Sequence, residues 1–110
     1  MISSKELIKY TRSLNILFAE DYDGLRENTA EILNSFFKNV FTANDGQEAI
    51  EIYTDKYSND TSYFDIVLSD IQMPKLDGVE LTKKIYDMNQ DQVVIILSAY
   101  DESKYLLNEV

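Results

Sequence analysis

The chain of 110 residues contains neither cysteine nor histidine. The lack of cysteine excludes disulfides, thiolate zinc sites and thiol nucleophiles. The lack of histidine excludes a Ser-His-Asp triad, a histidine metal ligand and a phosphohistidine. Any metal ion must therefore be held by oxygen ligands, and any covalent chemistry must use a carboxylate, a hydroxyl or a lysine.

Long apolar runs and basic residues are also scarce. No apolar stretch approaches the roughly 20 residues that a membrane span needs, and the first residues lack the apolar stretch of a signal peptide. We therefore expect a cytoplasmic protein without membrane contacts. Ten basic residues stand against twenty acidic ones, for a net charge of -10. Because this charge repels phosphate backbones, we expect no binding to nucleic acid, although the acidity can also serve solubility alone.

What the sequence does contain is an alternation of short apolar runs with stretches of helical period. A chain of 110 residues with 45% hydrophobic residues fits one domain with one core. After a leading segment, residues 1–13, we predict four strands, each followed by a helix, at about residues 13–19, 39–43, 64–68 and 92–97. This order predicts an α/β fold, a flavodoxin-like, doubly wound parallel sheet with strand order 2-1-3-4.

Two of the predicted helices begin with a cap pattern. Asp45 precedes Glu48 by three residues, and Asp77 precedes Glu80 by the same spacing. Both pairs resemble a capping box with aspartate as the cap. We therefore predict that helices begin directly after the two aspartates.

Acidic side chains follow two of the predicted strands. Glu20 and Asp21 come after the first strand and Asp70 after the third, whereas Ser98 follows the fourth. Ligands of such sheets lie at the carboxyl ends of the strands, and the order 2-1-3-4 places the first and third strands about 4.8 Å apart. Two carboxylates at about 4 Å repel by roughly 4 kcal/mol, so three together favour a cation with oxygen ligands, such as Mg²⁺. Alternatively, each is a solvated acid at the start of a loop.

Four segments of the chain together resemble one known family. The most specific is an apolar strand that leads to Asp70 and is followed by Met73-Pro74 and Asp77-Gly78. The other three lie at residues 16–21, 43–49 and 95–99, in the order and spacing of the family. On these segments the chain resembles the receiver domain of bacterial two-component response regulators, from about residue 14 to its end.

The resemblance implies a role for each matching residue. Asp70 matches the aspartate that accepts a phosphoryl group from the phosphohistidine of a partner, a sensor histidine kinase or a phosphotransfer protein. Glu20 and Asp21 match the acidic pair that holds Mg²⁺ together with Asp70, and the backbone carbonyl of Gln72 is implied as a further ligand. The family is a signalling domain of phosphorelays and not an enzyme, beyond self-catalysed phosphotransfer and dephosphorylation.

Two further matches lie after the fourth predicted strand. Ser98 matches the hydroxyl residue that turns toward the phosphoryl group, so the resemblance implies a conformational switch through Ser98. Tyr100 matches a position that tunes how fast the phosphate is lost. The plainer interpretations are a turn or capping serine and a partly buried aromatic residue.

The sequence departs from the family at its C-terminal end. The family has a fifth strand and a fifth helix, and a lysine after that strand pairs with the phosphoryl group, but these would fall past Val110. We therefore expect residues 14–110 to be a C-terminally incomplete receiver domain that lacks the fifth strand and helix. Val93–Leu97 would then be an unpaired apolar edge, which predicts a homodimer or strand exchange.

Three other functions are compatible with parts of the pattern. Asp21-Tyr22-Asp23-Gly24 resembles the nucleophile motif of haloacid-dehalogenase-like phosphatases, with Asp21 as the nucleophile, although Leu25 replaces the expected threonine. A flavodoxin-like cofactor binder would need a phosphate loop after the first strand, and no loop rich in Gly, Ser or Thr is there. A pseudo-receiver would bind partners without being phosphorylated.

Overall fold

The computed structural model describes residues 3–97, in which strands and helices alternate along the chain. The helices are α1 (Ser4–Thr11), α2 (Asp23–Asn34), α3 (Gly46–Asn59) and α4 (Gly78–Met88), and the strands are β1 (Asn15–Ala19), β2 (Asn39–Ala43), β3 (Ile66–Asp70) and β4 (Val93–Leu97). All strand pairs are parallel, and the strand order is β2-β1-β3-β4. The predicted α/β fold and strand order 2-1-3-4 are confirmed. The helix predicted after the fourth strand lies outside the described residues.

Strand β1 lies inside the sheet and is buried on both faces. Ile16, Leu17, Phe18 and Ala19 are at most 2% exposed, which accounts for the unbroken apolar run in the sequence. Leu17 and Ala19 belong to the core cluster that α3 and α4 form on one face. Phe18 points to the other face, where α2 lies, because successive side chains of a strand alternate.

The second face of the sheet is less completely covered by the described residues. On α2, the apolar residues Leu25 and Ile32 are exposed. Val93, Ile95 and Leu97 of β4 point to the same face and are 52%, 45% and 41% exposed. Within residues 3–97, β4 pairs with β3 on one side and with no strand on its outer side. The homodimer or strand exchange expected from this apolar edge stays a prediction.

Strand β3 begins and ends two residues later than predicted. The sequence pattern placed it at residues 64–68, but the structure has it at Ile66–Asp70. Phe64 is buried in the core but precedes the strand. The parallel pairing with β4 continues past the buried Ser69 to the pair of Asp70 and Leu97. Asp70 is therefore the last residue of a strand and not the first residue of a loop.

Both predicted helix starts are confirmed. Asp45 Oδ1 accepts a hydrogen bond from the N–H of Glu48 (2.7 Å), and Asp77 Oδ1 accepts one from the N–H of Glu80 (2.8 Å). Only Asp77 completes a capping box, since its own N–H donates to Glu80 Oε1 (3.3 Å). Glu48 Oε1 instead accepts from the N–H of Asn44 (2.8 Å). These caps fix the two loops that leave β2 and β3 at their carboxyl ends.

The helices within residues 3–97 are short, with eight to fourteen residues each. None of them has the length and the apolar content that crossing a membrane requires. The shortest, α1, lies in the predicted leading segment, where Thr11 Oγ1 donates a hydrogen bond to the Phe36 carbonyl (2.6 Å). This bond joins α1 to the segment between α2 and β2.

Candidate metal centre

The carboxyl ends of β1 and β3 bring three acidic side chains together. Ala19 at the end of β1 lies opposite Ser69 of β3, so the residues that follow leave the sheet side by side. One carboxylate oxygen from each of Glu20, Asp21 and Asp70 lies within 4.8 Å of the other two. In residues 3–97 this is the one such group of three acidic side chains. The structure therefore brings Asp70, at the end of β3, to the acidic pair that follows β1.

Glu20 is the buried member of this acidic cluster. Only 5% of Glu20 is exposed, whereas Asp21 is exposed and Asp70 is half-buried. Burial raises the pKa of Glu20 above its ordinary value, and contact with the Asp21 side chain and the charge of Asp70 raise it further. The hydrogen bond that Glu20 Oε2 accepts from the N–H of Tyr22 (3.0 Å) lowers the pKa and opposes these effects. A full set of negative charges is thus unfavourable here without a cation.

Asp70 is oriented by the peptide that follows it. The N–H of Ile71 donates a hydrogen bond to Asp70 Oδ1 (2.8 Å). The same N–H also donates to the Leu97 carbonyl (3.3 Å) at the end of β4. Because Asp70 still belongs to β3, the sheet and not a loop determines where its carboxylate lies.

Arg26 is a contributor to the site that the sequence analysis missed. Its Nη1 donates to the Glu20 carbonyl (2.9 Å), and its Nη2 donates to Asp23 Oδ1 (2.6 Å). The guanidinium therefore joins the backbone of Glu20 to the Asp23 side chain at the start of α2. The sequence did contain a signal for this role, because Arg26 lies near the start of α2, where a positive charge interacts unfavourably with the helix dipole. An arginine at such a position is expected to bind an acceptor group nearby.

An open cavity of about 950 Å³ adjoins the acidic cluster. Glu20, Asp21 and Asp70 line one part of it, and apolar side chains line much of the rest. Gln72, whose carbonyl the resemblance implied as a metal ligand, lines the same cavity two residues after Asp70. The predicted switch residue Ser98 and the predicted tuning residue Tyr100 lie outside the described residues.

The donor set of the cluster suits a hard divalent cation. All three side chains offer oxygen atoms, which Mg²⁺ prefers, and one or two carboxylates with water and phosphate oxygens are its usual ligands in proteins. A cation would also relieve the repulsion that raises the pKa of Glu20. The residues present therefore fit Mg²⁺.

The chain is a doubly wound α/β domain with an acidic site at the carboxyl ends of β1 and β3. Domains of this class bind their ligands at this edge of the sheet, at the point where the strand order reverses. Within this class, the chain matches the family model of the response regulator receiver domain over residues 16–109. The chain belongs to that family, a signalling domain of two-component systems.

Individual relatives agree with this assignment. The transcriptional regulatory protein DegU of Brevibacillus brevis is 33% identical over 95 residues, which are 84% of this chain and 38% of that protein. The sporulation initiation phosphotransferase F of Bacillus subtilis is 32% identical over 79% of this chain and 65% of its own length. The solved structure of TrrA of Thermotoga maritima, in complex with Mg²⁺-BeF, has a TM-score of 0.69 at 28% identity and covers 84% of this chain and 75% of its own.

The chain is much shorter than several of these relatives. It spans between 23% and 38% of the length of the first curated relatives that it matches. The likeness therefore establishes the domain, and it does not extend to the outputs of the longer proteins.

Proposed function

We propose that the protein is a phosphoacceptor receiver domain and that Asp70 accepts the phosphoryl group. The donor is a partner sensor histidine kinase or a phosphotransfer protein. The observation that carries the proposal is the position of Asp70, which ends β3 within 4.8 Å of the carboxylates of Glu20 and Asp21. A carboxylate that lies beside two other acids can act as a nucleophile when these neighbours hold a cation, because the cation offsets their negative charge.

Glu20, Asp21 and Asp70 would hold Mg²⁺, with the backbone carbonyl of Gln72 as a further ligand. When bound, Mg²⁺ neutralises negative charge on the phosphoryl oxygens. Phosphoryl transfer depends chiefly on this neutralisation and on the positioning of the reacting groups. The family membership and the all-oxygen cluster support this assignment.

In the transfer, one carboxylate oxygen of Asp70 forms a bond to phosphorus while the bond from phosphorus to the donor nitrogen breaks. The N–H of Ile71 orients the carboxylate through Oδ1, so that the attack starts from a fixed geometry. The guanidinium of Arg26 holds the backbone of Glu20 in place through the Glu20 carbonyl. After transfer, Ser98 acts as the switch hydroxyl and Tyr100 tunes the loss of phosphate.

We also propose where in the chain and in the cell the domain acts. Residues 14–110 form the receiver part, preceded by residues 1–13, and the chain acts in the cytoplasm as a signalling module without enzymatic turnover beyond its own phosphorylation and dephosphorylation. The net charge of -10 supports the view that this domain itself does not bind nucleic acid. Two copies of the chain associate through the apolar edge of β4, either as a homodimer or by strand exchange.

Phosphorylation with acetyl phosphate and Mg²⁺, followed by intact mass measurement, tests the proposal. We expect one added phosphate on the chain, none in the presence of EDTA and none on Asp70→Asn. Asp91→Asn is the matched control, because Asp91 is an exposed aspartate before β4, at the opposite end of the sheet, and should be labelled like the unmodified chain.

Two outcomes would contradict the proposal in different ways. A label that survives in Asp70→Asn but disappears in Asp21→Asn would favour a phosphatase-like nucleophile at Asp21. A chain that binds Mg²⁺ but gains no phosphate would favour a pseudo-receiver. The family match over residues 16–109 argues against the phosphatase alternative.

A further inference from the structure

Gly78, the first residue of α4, lies directly against the end of β3. A Cβ atom built on Gly78 would overlap the carbonyl oxygen of Asp70 and would lie 3.1 Å from Ile71 Cα and 3.2 Å from the Asp70 carbonyl carbon. These neighbours are backbone atoms, which cannot rotate away as the end of a flexible side chain can. The geometry therefore leaves no room for a side chain at residue 78.

The contact falls on the peptide that orients the Asp70 carboxylate. The peptide between Asp70 and Ile71 is planar, so its carbonyl and its N–H move together. Its carbonyl touches Gly78, and its N–H donates to Asp70 Oδ1 (2.8 Å). A push on the carbonyl would therefore tilt the N–H that holds the carboxylate in place.

Gly78 is fixed in turn by its own hydrogen bonds. Its N–H donates to the Ile71 carbonyl (2.8 Å), and its carbonyl accepts from Thr82 Oγ1 (2.7 Å). The capping box of Asp77 fixes the residue before it. Because α4 is anchored in this way, a side chain at residue 78 would displace the Asp70–Ile71 peptide together with the start of the helix.

Backbone conformation does not account for the glycine. No glycine within residues 3–97 has a positive φ, so Gly78 does not use the conformational freedom that distinguishes glycine. What Gly78 contributes is the absence of a Cβ atom at a close approach of two backbones.

We propose that Gly78 is a positioning residue of the acidic site, which aims the Asp70 carboxylate by packing its Cα against the Asp70–Ile71 peptide. The inference rests on the proposed function, because it concerns the same carboxylate. It adds a specific consequence, that a methyl group at residue 78 weakens metal binding by displacing the backbone of Asp70.

The three glycines of the chain provide matched substitutions. In Gly24→Ala the new Cβ meets only a Tyr22 ring carbon at 3.8 Å, an ordinary contact. In Gly46→Ala it would overlap the Leu76 carbonyl oxygen and lie 2.7 Å from the Leu76 carbonyl carbon. Gly46→Ala is thus a backbone clash at the first residue of a helix, like Gly78→Ala, but it does not involve the peptide that holds Asp70.

Three measurements on each variant separate positioning from stability: thermal unfolding in EDTA, the Mg²⁺ dissociation constant by calorimetric titration, and the amide NMR shift of Ile71 in metal-free protein. We expect Gly46→Ala and Gly78→Ala both to lower Tm. Only Gly78→Ala should shift the Ile71 amide and raise the Mg²⁺ dissociation constant, by about tenfold or more, as is common when the support of a metal ligand is lost. Gly24→Ala should match the unmodified chain.

Equal Mg²⁺ dissociation constants for Gly46→Ala and Gly78→Ala would overturn the proposal, and so would an unchanged Ile71 amide in Gly78→Ala. A Gly78→Ala chain that does not fold would show that the contact serves stability alone, which also overturns it. An unmodified chain that does not bind Mg²⁺ would instead refute the proposed function, and this failure is visible before any variant is compared.

Discussion

Replacing Glu20 with glutamine is expected to stabilise the metal-free protein while removing its response to Mg²⁺. Glu20 is buried beside Asp21 and Asp70, and its carboxylate repels both of them whenever it is ionised. Glutamine has nearly the same shape, and its amide oxygen can still accept the hydrogen bond from the N–H of Tyr22. The substitution therefore removes charge and leaves the packing in place.

The size of the effect follows from the separation of the carboxylates. At the outer limit of 4.8 Å, each pair of full charges repels by about 3.5 kcal/mol at an effective dielectric constant of about 20 and by about 0.9 kcal/mol in bulk water. Glutamine removes two of the three pairs. Because Asp21 is exposed and solvent screens its charge, we expect the free energy of unfolding to rise by about 1–3 kcal/mol at neutral pH. For a chain of this length, the rise in Tm would be about 4–12 °C.

The same substitution should change how stability depends on pH. The folded-state pKa of Glu20 is raised above its ordinary value of 4.5, so folding favours the protonated form. The stability from this group is fully present below pH 4.5 and is lost as pH rises through the folded pKa. The advantage of Glu20→Gln in EDTA should therefore be small near pH 4.5 and should grow toward pH 7.

The assay is thermal unfolding by circular dichroism in EDTA and in Mg²⁺ at several pH values. Glu31→Gln is the matched control, because Glu31 is exposed on α2 and the net charge changes by the same amount. Mg²⁺ should raise the Tm of the unmodified chain, since a ligand that binds the folded state stabilises it, and should have little effect on Glu20→Gln. If Glu20→Gln in EDTA is no more stable than Glu31→Gln, the proposed repulsion within the acidic cluster is refuted.

Three further predictions concern other parts of the molecule. Tyr53→Phe removes the buried hydrogen bond from the Tyr53 hydroxyl to Gln92 Oε1 (2.8 Å) and should lower the free energy of unfolding by about 1–2 kcal/mol in urea titrations, with unchanged Mg²⁺ affinity. Lys75→Gly should raise the free energy of unfolding by about 1 kcal/mol in the same assay, because Lys75 has a φ of 68°, which is unfavourable for a residue with a side chain. The ion pair that is lost, between Lys75 and Asp45 (3.6 Å), contributes little because the lysine is largely exposed. A loss of stability would contradict this prediction. Ile95→Lys should reduce self-association in light scattering, because Ile95 lies on the apolar edge strand and is 45% exposed; equal association of both chains would exclude that edge.

Local patterns in the sequence predicted the elements of this fold well. The apolar run of β1 and the cap pairs of Asp45 and Asp77 report interactions within a few residues, so they are visible without the rest of the chain. The strand order could be predicted because alternating strands and helices allow only a few sheet topologies. The family could be predicted because the motif around Asp70 is specific to it.

Long-range contacts explain the features that the sequence analysis missed. The end of β3 was placed too early because its last two residues, Ser69 and Asp70, are polar. Pairing with neighbouring strands keeps them in the strand, Ser69 with both β1 and β4 and Asp70 with β4. The bond from Arg26 to the Glu20 carbonyl depends on how α2 packs against β1. The overlap that excludes a side chain at Gly78 exists only because α4 starts against the end of β3.

By itself, the sequence determined where the acidic residues lie, which stretches form strands and which helices begin with a cap. Hydrophobic periodicity and capping involve residues that are close together in the chain, so they can be read without the fold. The tertiary structure alone decided how those acids stand to each other. Parallel pairing of β1 with β3 places within 4.8 Å carboxylates that lie 50 residues apart in the chain. Their distance, the burial of Glu20 and the aim of Asp70 depend on backbone contacts between elements, which no local pattern of residues encodes.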